Sequence, residues 1–187
     1  MNEQHNPWTV LSEEEKYINP WIQIIEYKVL NPSGGPGIYG KVHFKNKAIG
    51  VIVLDEELNT WLVGQYRFVL NQYSWEIPEG GGTSSETPLE TAKRELLEET
   101  GLKAEHWREL QHMHLSNSVS DEFGILFLAT GLTQHAAEPE ETEQLVVKKV
   151  PFEEAYQMVN QNIITDSLSV AAILKVKLML LNGEISS

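Results

Sequence analysis

Between Thr87 and Gly101 the chain carries the signals for both ends of a helix, and little else can form there. Thr87, Pro88 and, three residues after the threonine, Glu90 supply an N-cap, a proline at the first helical position and the acid of a capping box. Gly101, after Thr100, offers the left-handed residue on which helices end. At about 100° per residue, Leu89, Ala92, Leu96 and Leu97 gather on one side, while Glu95, Glu98 and Glu99 occupy the adjoining arc. One face asks for a core and its neighbour is acid.

Like charges at these spacings cost a few tenths of a kcal/mol per pair, so the arrangement makes physical sense if a cation sits among the three carboxylates. The alternative is an acidic, solvated face. Oxygen donors without cysteine or histidine select Mg²⁺, Mn²⁺ or Ca²⁺ over zinc. Magnesium, which shares its shell with substrate phosphates, is the expected ion, with manganese as a substitute. Gly80, Gly81 and Gly82 just upstream read as a loop free to take positive φ and to bring backbone close to a ligand.

The stretch resembles the Nudix box, Gly-x5-Glu-x7-Arg-Glu-U-x-Glu-Glu-x-Gly-U with U aliphatic. Every defined position matches: Gly80, Glu86, Arg94, Glu95, Leu96, Glu98, Glu99, Gly101 and Leu102. The resemblance implies hydrolysis of a nucleoside diphosphate linked to another moiety, by water attack at phosphorus assisted by a divalent metal. It implies Glu95, Glu98 and Glu99 as metal ligands, with the backbone carbonyl of Glu79 beside them. Glu86 and Arg94 are then expected to fix loop and helix by a salt bridge, with Gly80 and Gly101 structural.

At 187 residues the chain suits one domain and a small addition. A formal charge of −13 argues against nucleic acid or an anionic membrane as partner. There is no cysteine, hence no disulfide framework. The N-terminus lacks the marks of a secretory signal and no window is long and apolar enough to span a membrane, so a cytoplasmic protein is expected.

Residues 1–16 are polar and expected to be loosely held, with a helical turn over Ser12 to Lys16. Trp21 to Leu30 and Ile38 to Phe44 read as strands about a loop of turn formers, a β unit over 1–45 too thin to bury its own face. In the main domain, 46–187, Ala48 to Leu54 and Thr60 to Arg67 read as a hairpin, with Trp75 to Pro78 leading into the glycines. Strands are expected near Glu109 to Leu115, Gly124 to Ala129 and Gln144 to Val150, then helices over Phe152 to Gln161 and, capped by Asp166, Ser167 to Leu181. The expected fold is α/β: an α-β-α sandwich with a mixed central sheet and an N-terminal antiparallel β appendage, which is also the fold the resemblance implies.

Further residues resemble the branch acting on ADP-ribose and nucleoside diphosphate sugars: Gln65-Tyr66-Arg67, Trp75 to Pro78 and Ser120-Asp121-Glu122. That branch takes its general base, and an added metal ligand, from a loop ahead of a strand. Glu140, Glu141 and Glu143 are the candidates, with Glu143 also a candidate ligand and Glu98 the carboxylate of the box that could share the role. Arg67 reads either as a clamp on the diphosphate or as a surface ion pair. Glu122 is a substrate-contact candidate; Trp21 and Tyr27 are candidates for stacking on the base, against core packing. Leu115-Ser-Asn-Ser-Val-Ser-Asp-Glu122 lacks the proline of ADP-ribose-specific members, which favours a broader preference that includes GDP-mannose and ADP-glucose types. The branch also implies a homodimer, in which the 21–44 hairpin would find cover. Alternatives are a hydrolase of nucleoside triphosphates or dinucleoside polyphosphates, or a non-catalytic nucleotide-sugar sensor.

Overall fold

The computed structural model of the protein describes residues 5–83, 85–137 and 144–185, which divide into two compact units. The first is the described part of Met1–Asn46 together with His114–Glu122. Its strands β1 (Thr9–Ile18), β2 (Ile22–Leu30) and β3 (Pro36–Phe44) form an antiparallel sheet in that order. β1 corrects the expectation of a loose segment with a helical turn. Lys16 lies 2.7 Å from Glu14 and 3.3 Å from Glu26, across the ladder, so pairing on an open strand edge outweighs the helical leaning of Ser-Glu-Glu-Glu-Lys.

Residues 114–122 are strapped to β3. Val42 N donates to Val119 O at 2.9 Å and Asp121 N to Val42 O at 3.1 Å. The Asp121 carboxylate accepts from Phe44 N at 2.9 Å and lies 2.7 Å from His43 Nδ1 and 3.2 Å from Lys41 Nζ. Against a burial that would raise it, the His43 ring, the Phe44 amide and Lys41 bring the Asp121 carboxyl down to about 2. A cleft of about 330 Å³ lies in this unit, lined by Trp8, Tyr27, Tyr39 and residues 117–120. Its shape is set by Trp8, edge-on to Tyr39 at 5.4 Å, and by the Tyr39 hydroxyl donating to Ser118 O at 2.9 Å.

The second unit, Lys47–Met113 with Phe123–Ser187, holds the other elements. They are β4 (Lys47–Val53), β5 (Asn59–Arg67), β6 (Gln72–Glu76), β7 (Glu79–Gly82), α1 (Pro88–Thr100), β8 (Leu102–His114), β9 (Phe123–Gln134), β10 (Val146–Pro151), α2 (Phe152–Asn160) and α3 (Ser167–Leu181). One sheet runs β7-β4-β9-β8, with β4 antiparallel to β7 and parallel to β9; the other runs β10-β5-β6. The expected β4–β5 hairpin is therefore not formed. Asp55 accepts the amides of Glu57 and Asn59 at 3.1 and 2.7 Å and turns the chain out of one sheet into the other. β4 is buried on both sides and takes the centre of the mixed sheet.

Alternation along β4 then places the helices. Ile49, Val51 and Val53, with Ile125, Phe127 and Ala129 of β9, pack on Ala92 and Leu96 of α1. On the opposite face a Cβ at Gly50 would stand 3.5 Å from Leu168 Cβ of α3. Helices thus cover both faces of a mixed sheet, the sandwich the sequence leads one to expect. Among the described residues no helix is long and apolar enough to cross a membrane.

Candidate active site

α1 begins and ends as its sequence dictates. Thr87 Oγ1 accepts from Glu90 N, Glu90 returns the bond to the Thr87 amide, and Gly101 closes the helix at φ 70°. The triple glycine, however, is no open loop. Gly80, Gly81 and Gly82 belong to β7, paired with Ile49, Ala48 and Lys47 of β4, and none of the three takes positive φ. Glycine is needed for room instead. A Cβ at position 80 would lie 2.1 Å from Glu95 Cδ, and one at position 82 would lie 2.9 Å from Thr91 Oγ1. β7 and the acidic arc of α1 can meet because β7 has no side chains there.

Arg94 organises the carboxylates. Its Nε and Nη2 hold the two oxygens of Glu86, each at 3.1 Å, and Nη2 also reaches Gly81 O at 3.2 Å. Its Nη1 donates to Glu95 Oε1 at 2.8 Å and to Glu98 Oε2 at 2.9 Å. Part of the positive charge that the acid spacing asks for is therefore supplied by the chain itself. The guanidinium keeps the Glu86 carboxyl below the usual carboxylate range, and the planar fork ties strand, loop and helix together. Exposure falls along the three ligand candidates: the side chains of Glu98 and Glu95 are 28% and 12% exposed, and Glu99 is 2% exposed with its Oε2 accepting from Glu79 N at 3.0 Å.

Arg67, at the end of β5, is engaged by carboxylates. Its Nε lies 2.9 and 3.1 Å from the Glu76 oxygens, and its Nη2 contacts Glu76 Oε2 and lies 2.9 Å from Glu79 Oε1. Glu79 Oε2 is buried and receives no donor among the described residues. Burial first, and then the facing Asp166 and Glu76 carboxylates, push the Glu79 carboxyl well above its ordinary range, against the pull of Arg67. Glu76, which the sequence marks only as part of the segment Trp75 to Pro78, and Asp166, which it marks only as a helix cap, join Glu79 and Arg67 in this cluster. The signal for Glu76 is a charge set in the apolar strand Trp75-Glu-Ile; Asp166 also caps α3.

The remaining candidates belong to the first unit or lie outside the described residues. Trp21, 66% exposed, and Tyr27, in the wall of the aromatic cleft, belong to the first unit, as does Glu122 at the end of the 114–122 segment. Trp21 is thus no core residue. Glu140, Glu141 and Glu143 lie outside the described residues.

The donors of the box are all oxygens, a set that fits a hard divalent cation. Among the described residues no three acidic or histidine side chains converge into a coordination cluster, since Glu95 and Glu98 turn to Arg94 and Glu99 to the Glu79 amide. Donor chemistry therefore fits the ion, and Arg94 shares the carboxylates it would use.

A mixed-sheet sandwich carrying three glutamates on a helix packed against a glycine strand defines an acidic-helix α-β-α protein. Residues 44–167 match the NUDIX domain, and the chain belongs to the Nudix family. It is 34% identical over 133 residues, 69% of this chain, to an ADP-ribose pyrophosphatase of Mycobacterium tuberculosis. The match spans 64% of that protein, a little under two thirds of its length. Over 128 residues it is 35% identical to a methanol dehydrogenase activator of Bacillus methanolicus and 32% identical to an ADP-ribose pyrophosphatase of Bacillus subtilis, covering 67% of this chain and 69% of each relative. In three dimensions it matches a crystal structure of an ADP compounds hydrolase with a TM-score of 0.86, at 18% identity and over 97% of this chain and 98% of the other.

Proposed function

We propose that the protein is a Mg²⁺-dependent pyrophosphohydrolase that cuts the diphosphate of a nucleoside diphosphate sugar into a nucleoside monophosphate and a sugar phosphate. The observation that carries the reading is the complete acidic set of α1 seated against the three glycines of β7, in a chain similar to two proteins named ADP-ribose pyrophosphatase. Glu95, Glu98, Glu99 and the Glu79 carbonyl would hold the ion. When bound, it screens the charge that develops on the phosphates and acidifies the attacking water.

The chain's own residues do the rest. One water oxygen bonds to the attacked phosphorus and stays on it as the bond from that phosphorus to the bridging oxygen breaks, and the other phosphate leaves with the bridging oxygen and its electron pair. A carboxylate must take the water proton. Glu98, the most open of the three helix glutamates, is the described residue best suited, with Glu140, Glu141 and Glu143 the further candidates. Arg67 balances Glu76 and Glu79 next to the box and has a guanidinium suited to a phosphate oxygen. Arg94 keeps Glu95 and Glu98 in place before any ion arrives.

We further propose a cytoplasmic homodimer. Its support is apolar surface on the first unit: Val10, Leu11, Trp21 and Ile38 are 55%, 58%, 66% and 71% exposed. A single monomeric mass by light scattering at micromolar concentration counts against the dimer.

The function is tested on ADP-ribose, ADP-glucose, GDP-mannose and ATP in Mg²⁺, followed by ³¹P NMR, with a chelator control. Monophosphate products from the nucleotide sugars, lost with chelator and regained with Mg²⁺, are expected. Turnover of ATP alone, or turnover indifferent to chelator, overturns the reading.

A further inference from the structure

Two residues, Ile77 and Pro78, link β6 to Glu79, the first residue of β7, and this segment is held both by the edge of β4 and by side chains of other elements. Proline has no N–H, so Ile77 and Glu79 supply its two amide donors. Ile77 N donates to Ser169 Oγ at 2.9 Å and Glu79 N donates to Glu99 Oε2 at 3.0 Å. On the strand side, Pro78 O accepts from Val51 N at 2.8 Å and Glu79 stands opposite Gly50 in the β4–β7 ladder. Removing the Ser169 acceptor leaves the buried Ile77 amide without this bond, and removing Glu99 does the same to the half-buried Glu79 amide, in a segment then able to pivot about Pro78.

Ser169 comes from the first turn of α3, 92 positions after Ile77. Both residues are 0% exposed. The serine is itself held, because its amide donates to the capping carboxylate of Asp166 at 2.8 Å. The α3 cap therefore fixes Ser169, Ser169 fixes Ile77, and two residues on stand the Glu79 carbonyl and the Glu79 amide that orients Glu99.

We infer that Ser169 is a positioning residue for the proposed hydrolysis: it holds the Ile77–Glu79 link at the height at which the Glu79 carbonyl and the Glu99 carboxylate face one bound divalent ion. The inference rests on the proposed function for its kinetic arm. It has an independent arm in metal binding.

The test compares Ser169→Ala, Ser169→Cys and the wild type. Thr60→Val serves as a control, because the Thr60 hydroxyl is equally buried and has no partner among the described residues. Mn²⁺ alone is titrated by electron paramagnetic resonance, and kcat and KM are measured on the preferred nucleotide sugar. Ser169→Ala is expected to lose at least tenfold in kcat with KM within about twofold, and to bind Mn²⁺ at least fivefold more weakly. Ser169→Cys, whose sulfur is a weak acceptor of similar size, should fall between alanine and wild type, and it is the variant read if alanine does not fold. Thr60→Val should change neither quantity. Wild-type kcat and Mn²⁺ affinity in Ser169→Ala, or a loss confined to KM, overturns the inference. If the wild type cleaves no nucleotide sugar, the proposed function falls while the Mn²⁺ comparison still decides the role of Ser169.

Discussion

A Cβ at position 80 would stand 2.1 Å from the carboxyl carbon of Glu95. The clash is with the far end of a flexible side chain, so Glu95 yields and the backbone stays. Gly80→Ala is expected to shift Tm by no more than a few degrees yet to lower kcat about 100-fold, the size of effect that follows from moving a reacting group by about 1 Å. Equal losses in Tm and kcat would show that the glycine serves the fold alone.

Arg94 holds three carboxylates and a strand carbonyl. Arg94→Ala should destabilise by about 2 kcal/mol, below the range for a fully buried partner because the site is partly open. Adding Glu98→Gln should recover part of this by removing one of the repelling charges, a coupling that a double-mutant cycle in urea measures directly. Arg94→Lys should fail to replace the arginine, since an ammonium cannot bridge Glu86 bidentately.

The Asp121 carboxyl, brought down to about 2 by His43, the Phe44 amide and Lys41, contributes stability above its unfolded pKa, near 3.9, and loses it as pH falls through the folded value. The full shift is worth about 2.5 kcal/mol, discounted to about 1 because the side chain is 36% exposed. Asp121→Asn should therefore unfold more easily than the wild type at pH 7, with the gap closing between pH 4 and pH 2. A gap independent of pH would assign the effect to packing.

Thr60 is 0% exposed and its hydroxyl has no partner among the described residues. Thr60→Val keeps the shape and removes the unsatisfied group, so it should stabilise by about 1 kcal/mol in urea denaturation. A loss of stability would mean that a water or an undescribed residue serves the hydroxyl.

What the sequence determined by itself was local. The capping box of α1, its left-handed end at Gly101 and the Asp166 cap of α3 are contacts within a few residues and form as their sequence dictates, whereas the division of α1 into core and acid holds only in part, because Glu99 is buried with Ala92 and Leu96 while Leu89 and Leu97 are half-buried. The family box is likewise a local pattern, which is why it was legible. What only the tertiary structure decided depends on partners distant in the chain. A Ser-Glu-Glu-Glu-Lys run became strand because β2 lay open beside it, and two adjacent apolar strands went to different sheets because β4 is buried on both sides. The triple glycine became a strand that leaves room for Glu95, and Arg67 met Glu76 and Glu79 rather than solvent. Ser169 gives no sign in the sequence of touching Ile77, because a hydrogen bond across 92 residues exists only once the core has brought α3 to the β6–β7 link.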